Sequence, residues 1–160
     1  MNWIRRKQSV NSPPVKAQHF ELGELGESLA LEHLKSRGYK IVAANFSLPI
    51  GRNSRDVIVN AEIDVVAYDG PTLCFIEVKT RASDEIALPQ TNVDFRKRRQ
   101  ISRAARVYRR MFGLIEAPYR YDVVTVVPKP DTNFPRIALL RGFWNDEQLR
   151  KRKWHEPYWD

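Results

Sequence analysis

Cysteine is almost missing from this sequence. Cys74 stands alone among 160 residues, so there is no intramolecular disulfide framework. It lies in an apolar run, where a free thiol behaves as a small buried hydrophobe, and such usage suits a reducing compartment. Histidine is scarce as well. His19, His33 and His155 show no zinc-ligand spacing, which with a single cysteine argues against a zinc site. No stretch approaches the roughly 18 apolar residues of a membrane span. The opening MNWIRRKQSVNSPPVK is basic but has no apolar segment behind it, so it does not read as a secretory signal. Glycine-rich phosphate loops and serine-nucleophile motifs are also lacking. The expectation is a soluble cytoplasmic protein with no membrane partner.

What is present suffices for one ordinary domain. Hydrophobic residues make up 42% of the chain, and a chain of this length buries about two-thirds of its unfolded surface without a staple. Lysine and arginine number 27 against 19 acids, a net charge of +8. Such an excess favours a polyanionic partner: DNA, RNA or an anionic membrane surface. Residues 1–18 hold Arg5, Arg6, Lys7, Lys16 and the pair Pro13-Pro14 with no acid, which reads as a flexible basic arm. Residues 19–141 read as the folded domain. Residues 142–160 form a tail that mixes tryptophans with the basic run 150–153.

Leu22, Leu25, Leu29 and Leu34 recur at helical spacing, and Gly38 stands where a helix stops. These predict a first helix over Phe20–Arg37. Tyr39–Ala44 reads as a strand, and Ser47–Asn60 as a long loop. Val57–Tyr68 and Thr72–Thr80 then form a hairpin around Asp69-Gly70. A long helix over Val93–Phe112 follows, then strands at Tyr121–Val127 and Arg136–Leu140. The order α-β-β-β-α-β-β predicts an α/β fold with helices packed on a mixed sheet.

The chemistry concentrates in the hairpin. Strand alternation gives Glu62 and Asp64 one face, with Ile63 and Val65 opposite, and it gives Glu77 and Lys79 a shared face. A two-residue loop at Asp69-Gly70 would set Glu62 opposite Glu77. A four-residue loop, Asp69 to Thr72, would set Asp64 opposite Glu77 and Glu62 opposite Lys79. Either gathers all four on one side, whereas an odd loop would separate them. Paired carboxylates repel unless a cation lies between them. Mg²⁺ (or Mn²⁺) suits such oxygens, with Asp64 and Glu77 as ligands and the Val78 carbonyl as a further candidate. Lys79 would orient or deprotonate water, or offset charge in the transition state. The same alternation is also what a half-solvated sheet with cross-strand ion pairs displays.

Residues 94–110 carry eight basic residues and one acid. Arg96, Arg99, Arg103, Arg106 and Arg110 recur at spacings of 3, 4, 3 and 4, as one stripe. Ile101, Ala104, Ala105, Tyr108 and Phe112 form a second stripe that should pack on the sheet. Arginine forks suit phosphate, and such contacts position a backbone without reading sequence. Lys97 lies four residues before Ile101, on the inward side near the helix start, from where it would reach the catalytic region, and Arg81 directly follows the Glu77-Val78-Lys79 segment. Both join the phosphate candidates, although charge runs on helices are often merely solvated.

Several segments together resemble the YraN family of bacterial proteins. They are Gly26-Glu27-Ser28-Leu29-Ala30, Glu62-Ile63-Asp64, Phe75 to Arg81 (FIEVKTR), Lys97 with the basic residues after it, and Arg120-Tyr121-Asp122-Val123-Val124. The resemblance implies a restriction-endonuclease-like fold, near archaeal Holliday-junction resolvases. It further implies a PD-(D/E)xK site with Asp64 as first carboxylate, Glu77-Val78-Lys79 as the E-x-K, and Glu27 as an extra acid on the first helix. Taken alone, Glu27 reads as a solvated helix residue. Ala61 departs from the family's glycine before Glu62. The stretch from Asn45 to Asp64 is longer by roughly ten residues, where a substrate loop could lie.

These readings converge on a Mg²⁺- or Mn²⁺-dependent nuclease hydrolysing DNA phosphodiester bonds, on branched or single-stranded DNA. Glu27, Asp64, Glu77 and Lys79 form the catalytic set. Asp64, Glu77 and Val78 are the metal ligands. Arg81, Arg96, Lys97, Arg99, Arg103 and Arg106 hold the nucleic acid. Junction-cutting relatives pair as symmetric dimers, which makes a homodimer one expected arrangement. The alternative is a non-catalytic nucleic-acid-binding protein that keeps the nuclease fold. A membrane-surface role is weaker, because the arginine helix lacks a Trp/Phe/Leu-rich opposite face.

Overall fold

A computed structural model describes residues 15–81, 93–127, 129 and 134–149, with backbone alone at 15–20. The chain forms a mixed α/β fold. One five-stranded sheet has the order β1-β2-β3-β4-β5, with helix α1 before β1 and helix α2 between β3 and β4. The strands are β1 (Lys40–Arg52), β2 (Ile58–Asp69), β3 (Thr72–Thr80), β4 (Tyr119–Val127) and β5 (Arg136–Trp144); the helices are α1 (Val15–Ser36) and α2 (Phe95–Met111). Neighbouring strands are antiparallel except β3 and β4, which run parallel. A parallel pair needs a crossover, and α2 supplies it. No helix among the described residues is long and apolar enough to cross a membrane.

Each face of the sheet carries one core. On one, Ile101, Ala104, Ala105 and Tyr108 of α2 pack with Ile63, Val66, Phe75, Tyr121 and Val123. On the other, Ala30 and Leu34 of α1 pack with Val65, Ala67, Ile76, Val124 and Val126. The α2 stripe therefore lies where its periodicity places it, except that Phe112 is half exposed. The buried stripe of α1 is Gly26, Ala30 and Leu34, whereas Leu25 is 48% exposed. Small residues at four-residue spacing let this helix lie close to the sheet; of the leucines whose spacing predicts the helix, Leu34 is buried and Leu29 packs at the core's margin.

Helix α1 begins at Val15, inside the segment read as an arm; residues 1–14 lie outside the described residues. Its end is a Schellman motif. Gly38 at φ +87° allows Tyr39 N–H to donate to the Leu34 carbonyl and Gly38 N–H to donate to that of Lys35.

The expected loop over Ser47–Asn60 is instead a ribbon. Strand β1 runs on to Arg52 and pairs with β2 as far as Arg52↔Ile58. The tip is fixed by Asn53, whose Oδ1 accepts from the N–H groups of Arg55 and Val57. Pro49 and Gly51, read as loop residues, are accommodated on the sheet's outermost strand with a register shift between them.

Strand β5 also runs past its predicted end at Leu140. Gly142 adopts φ +60° at a register shift opposite Tyr121–Val123. This carries Trp144 into the core, where it stacks on Tyr121 at 4.9 Å and donates its indole N–H to Ser102 at 3.1 Å. Trp144 thus belongs to the core and not to a tail. A short 3-10 turn, Glu147–Leu149, follows. The basic run 150–153 and the last aromatic residues lie outside the described residues.

Candidate active site

The β2–β3 hairpin decides the site. Asp69 pairs with Thr72 and Val65 with Ile76, so the loop is Gly70-Pro71, with Gly70 at the positive φ that primed hairpin turns demand. This register is the one that sets Asp64 opposite Glu77. The hairpin closes two residues tighter than the four-residue loop, with the parity preserved.

The paired ladder stops at Val65↔Ile76. Beyond it the Asp64 side chain replaces a backbone partner, its Oδ2 accepting from Val78 N–H at 2.7 Å. A residue's N–H and C=O leave an extended strand on the same side, so the Val78 carbonyl also points toward Asp64. Glu77 is 2% exposed. Lys79 Nζ lies 2.7 Å from its Oε1 and Lys97 Nζ lies 3.3 Å from its Oε2. Lys97 reaches this position from the first turn of α2, where the Asp94 carboxylate caps the helix by accepting from Lys97 N–H. Among the described residues the Glu77 Oε2 atom has no partner that meets hydrogen-bond geometry, its Lys97 contact at 3.3 Å counting as an ion pair.

The electrostatics follow from this crowding. Burial and the neighbouring Glu77 charge push the Asp64 carboxyl up to about 7, against the opposing pull of Val78 N–H and Lys97. Burial works against the Lys97 ammonium, but the Glu77 and Asp64 charges outweigh it and its pKa is raised. Lys97 is therefore a fixed positive charge. Two carboxylates, one with a buried oxygen lacking a hydrogen bond, and a backbone carbonyl on the same side make a hard-oxygen donor set. That set fits Mg²⁺ or Mn²⁺ completed by water. Among the described residues no group of three or more His, Cys, Asp and Glu is placed to hold a metal, so such an ion would rest on two acids.

Glu62 does not share this cluster as strict alternation requires. Ile63 packs in the α2-side core and Val65 in the α1-side core, although they should share a face. Asn45, at φ +51°, sits between the partners of Ile63 and Val65, and β2 bends there as it leaves β3. Glu62 is exposed opposite Ser47 and reaches the site only as a nearby charge on Lys97.

Glu27 lies at the margin. Its Oε2 accepts from Asn45 Nδ2 at 3.2 Å, at the position that faces Asp64 between the Val65 and Ile63 pairs. Gly26 explains how α1 comes so near: a Cβ there would stand 1.8 Å from Thr80 Oγ1, one residue beyond Lys79. Arg81 continues from β3, its N–H donating to the Val126 carbonyl. Arg96, Arg99, Arg103 and Arg106 are exposed on α2.

The model of "Uncharacterised protein family UPF0102" matches residues 26–126. The chain belongs to the UPF0102 family. A UPF0102 protein of Koribacter versatilis is 36% identical over 140 residues, which is 86% of this chain and 92% of that protein. One from Geotalea uraniireducens is 40% identical over 126 residues, 79% of this chain and 91% of its own length. One from Chlorobium limicola is 42% identical over 130 residues, with coverages of 78% and 93%. The motif resemblance to YraN pointed to this same family.

The UPF0102 match takes in a second charged cluster whose chemistry the sequence did not reveal. Arg120 Nε donates to both oxygens of the fully buried Asp122, at 2.8 and 3.1 Å, and its Nη2 reaches Asp69 and the Tyr39 hydroxyl, each at 2.8 Å. Gly142 N–H also donates to Asp122. This network ties β4 to the β2–β3 turn, to β5 and to Tyr39, the residue before β1. The Arg120-Tyr121-Asp122 motif of this UPF0102 chain is thus a structural tie. Only the i, i+2 spacing of opposite charges on a strand hinted at it.

Proposed function

We propose that this UPF0102 chain is a divalent-metal-dependent nuclease that hydrolyses DNA phosphodiester bonds from a restriction-endonuclease-like core. One observation carries the reading: Asp64 and Glu77 converge across β2 and β3, with Lys79 and Lys97 beside Glu77. In this reading Asp64, Glu77 and the Val78 carbonyl hold Mg²⁺ or Mn²⁺. When bound, the ion would acidify water and offset phosphate charge. Lys79, partly exposed at the mouth of the cluster, orients the attacking water. Lys97, kept charged by its acidic neighbours, positions Glu77 and attracts the scissile phosphate. Glu27 steadies Asn45 at the rim.

The test is nicking of duplex, single-stranded and four-way DNA with Mg²⁺ or Mn²⁺, comparing wild type with Asp64→Asn. Metal-dependent nicking that the variant lacks supports the reading; nicking equal to wild type refutes it. A second reading draws on the same ion pairs. Both Glu77 oxygens lie against ammonium groups, as they would in a structural cluster of a non-catalytic DNA-binding protein. Salt-sensitive DNA binding with no nicking on any substrate would favour it.

A further inference from the structure

Eight basic residues line α2, but they do not act alike. Lys97 turns to Glu77. Arg98 donates to the Val93 carbonyl and lies 4.8 Å over the Phe143 ring. Arg109 donates to the Leu114 and Ile115 carbonyls and lies 3.7 Å over Tyr119. Arg99, Arg103 and Arg106 are exposed, and no ion pair among the described residues engages them. At about 100° per residue they stand on the side of α2 away from Lys97 and Ile101. They are therefore not part of the Asp64–Glu77 cluster.

These three arginines line a cleft of about 240 Å³ together with Ser102, Asp146 and Leu149. Among the described residues Asp146 is its one acid, and each of its oxygens already accepts a hydrogen bond, from the hydroxyls of Tyr119 at 2.9 Å and Tyr121 at 3.0 Å. Trp144 donates to Ser102 and so fixes the floor. The lining thus holds three guanidinium groups against one occupied carboxylate. Planar forks in a concave site match the tetrahedral oxygens of phosphate.

We infer that this cleft is a phosphate-binding site for a nucleic-acid strand, separate from the Asp64–Glu77 cluster. A polymer is favoured because exposed arginines continue along the same row from Arg96 to Arg110, about 21 Å of helix. A membrane is disfavoured because Ile101, Ala104, Ala105 and Tyr108, the apolar stripe of α2, are buried in the core. The cleft makes a prediction that a plain arginine ridge does not: its three arginines share one phosphate, so their losses do not add.

The experiment uses the full chain in EDTA, which separates it from any failure of the nuclease reading. Anisotropy of a fluorescent DNA duplex is followed from low to high KCl for wild type, Arg103→Gln and Arg99→Gln/Arg103→Gln/Arg106→Gln, with melting curves to verify folding. Arg103→Gln should weaken binding about ten-fold, and the triple variant should lower the salt slope by only about 0.9, the value for one phosphate. A slope loss of about 2.7, three independent phosphates, overturns the cleft. So does unchanged binding, or capture by anionic phosphatidylglycerol vesicles with none by DNA. A 5′-phosphorylated oligonucleotide that binds better than its 5′-hydroxyl form, with the advantage lost in Arg103→Gln, assigns the cleft to a strand end. Equal binding of the two forms assigns it to internal phosphates.

Discussion

Asparagine in place of Asp64 should make the protein more stable at alkaline pH, even though it removes a proposed catalytic group. Asp64 rises from 3.8 to about 7 through burial and the charge of Glu77. Between those values the folded chain holds a proton that the unfolded chain releases. Stability therefore falls as pH rises through this window and levels off above it. At about 1.36 kcal/mol per pKa unit, ionising Asp64 costs the fold at most about 4 kcal/mol. Asparagine keeps an acceptor for Val78 N–H and offers an amide donor to Glu77, so it removes the charge while preserving the contact. In EDTA at pH 8, Asp64→Asn should gain up to about 4 kcal/mol, or roughly 8–16 °C in Tm. The gain should shrink toward zero at pH 4. Urea denaturation at pH 4, 6 and 8 measures it. Saturating Mg²⁺ should then narrow the difference, since an ion at a hundred times its Kd stabilises wild type by about 2.7 kcal/mol and finds no such site in the variant. A variant no more stable than wild type at pH 8, or a gain that does not depend on pH, would refute the reasoning.

Three further perturbations address other parts of the structure. Lys79→Ala should abolish metal-dependent nicking while DNA affinity changes less than two-fold by anisotropy; full nicking would remove Lys79 from the mechanism. Gly26→Ala should cost about 1–3 kcal/mol in urea denaturation, since its Cβ meets Thr80, and a companion Thr80→Gly should recover part of the loss. Arg120→Ala should cost about 3–5 kcal/mol by stranding the buried Asp122; a loss below about 1 kcal/mol would show that the network is dispensable.

Local pattern alone determined a good deal of this protein. Strand β3 could be read to the residue, because its apolar run is bounded by turn residues and charge. Helix α2 was legible because its apolar and arginine stripes keep strict helical period, and Gly38 marked the end of α1 because only glycine readily takes that φ. The even turn parity, and with it the meeting of Asp64 and Glu77, was available as one of two options. Tertiary structure decided what local pattern cannot carry. The bend at Asp64, which puts Ile63 and Val65 on opposite faces and leaves Glu62 outside, arises where β2 parts from β3 while still paired to β1. The burial of Gly26 and Ala30 beside Leu34 depends on how closely α1 can approach Thr80. Pairing across β1 and β2 outweighed Pro49 and Gly51 in turning an expected loop into a ribbon. Lys97 joined Glu77, and Arg120 joined Asp122 and Asp69, through contacts between residues far apart in sequence. Periodicity reports which face a side chain takes on its own element; which charge it meets there is set by the packing of elements against one another.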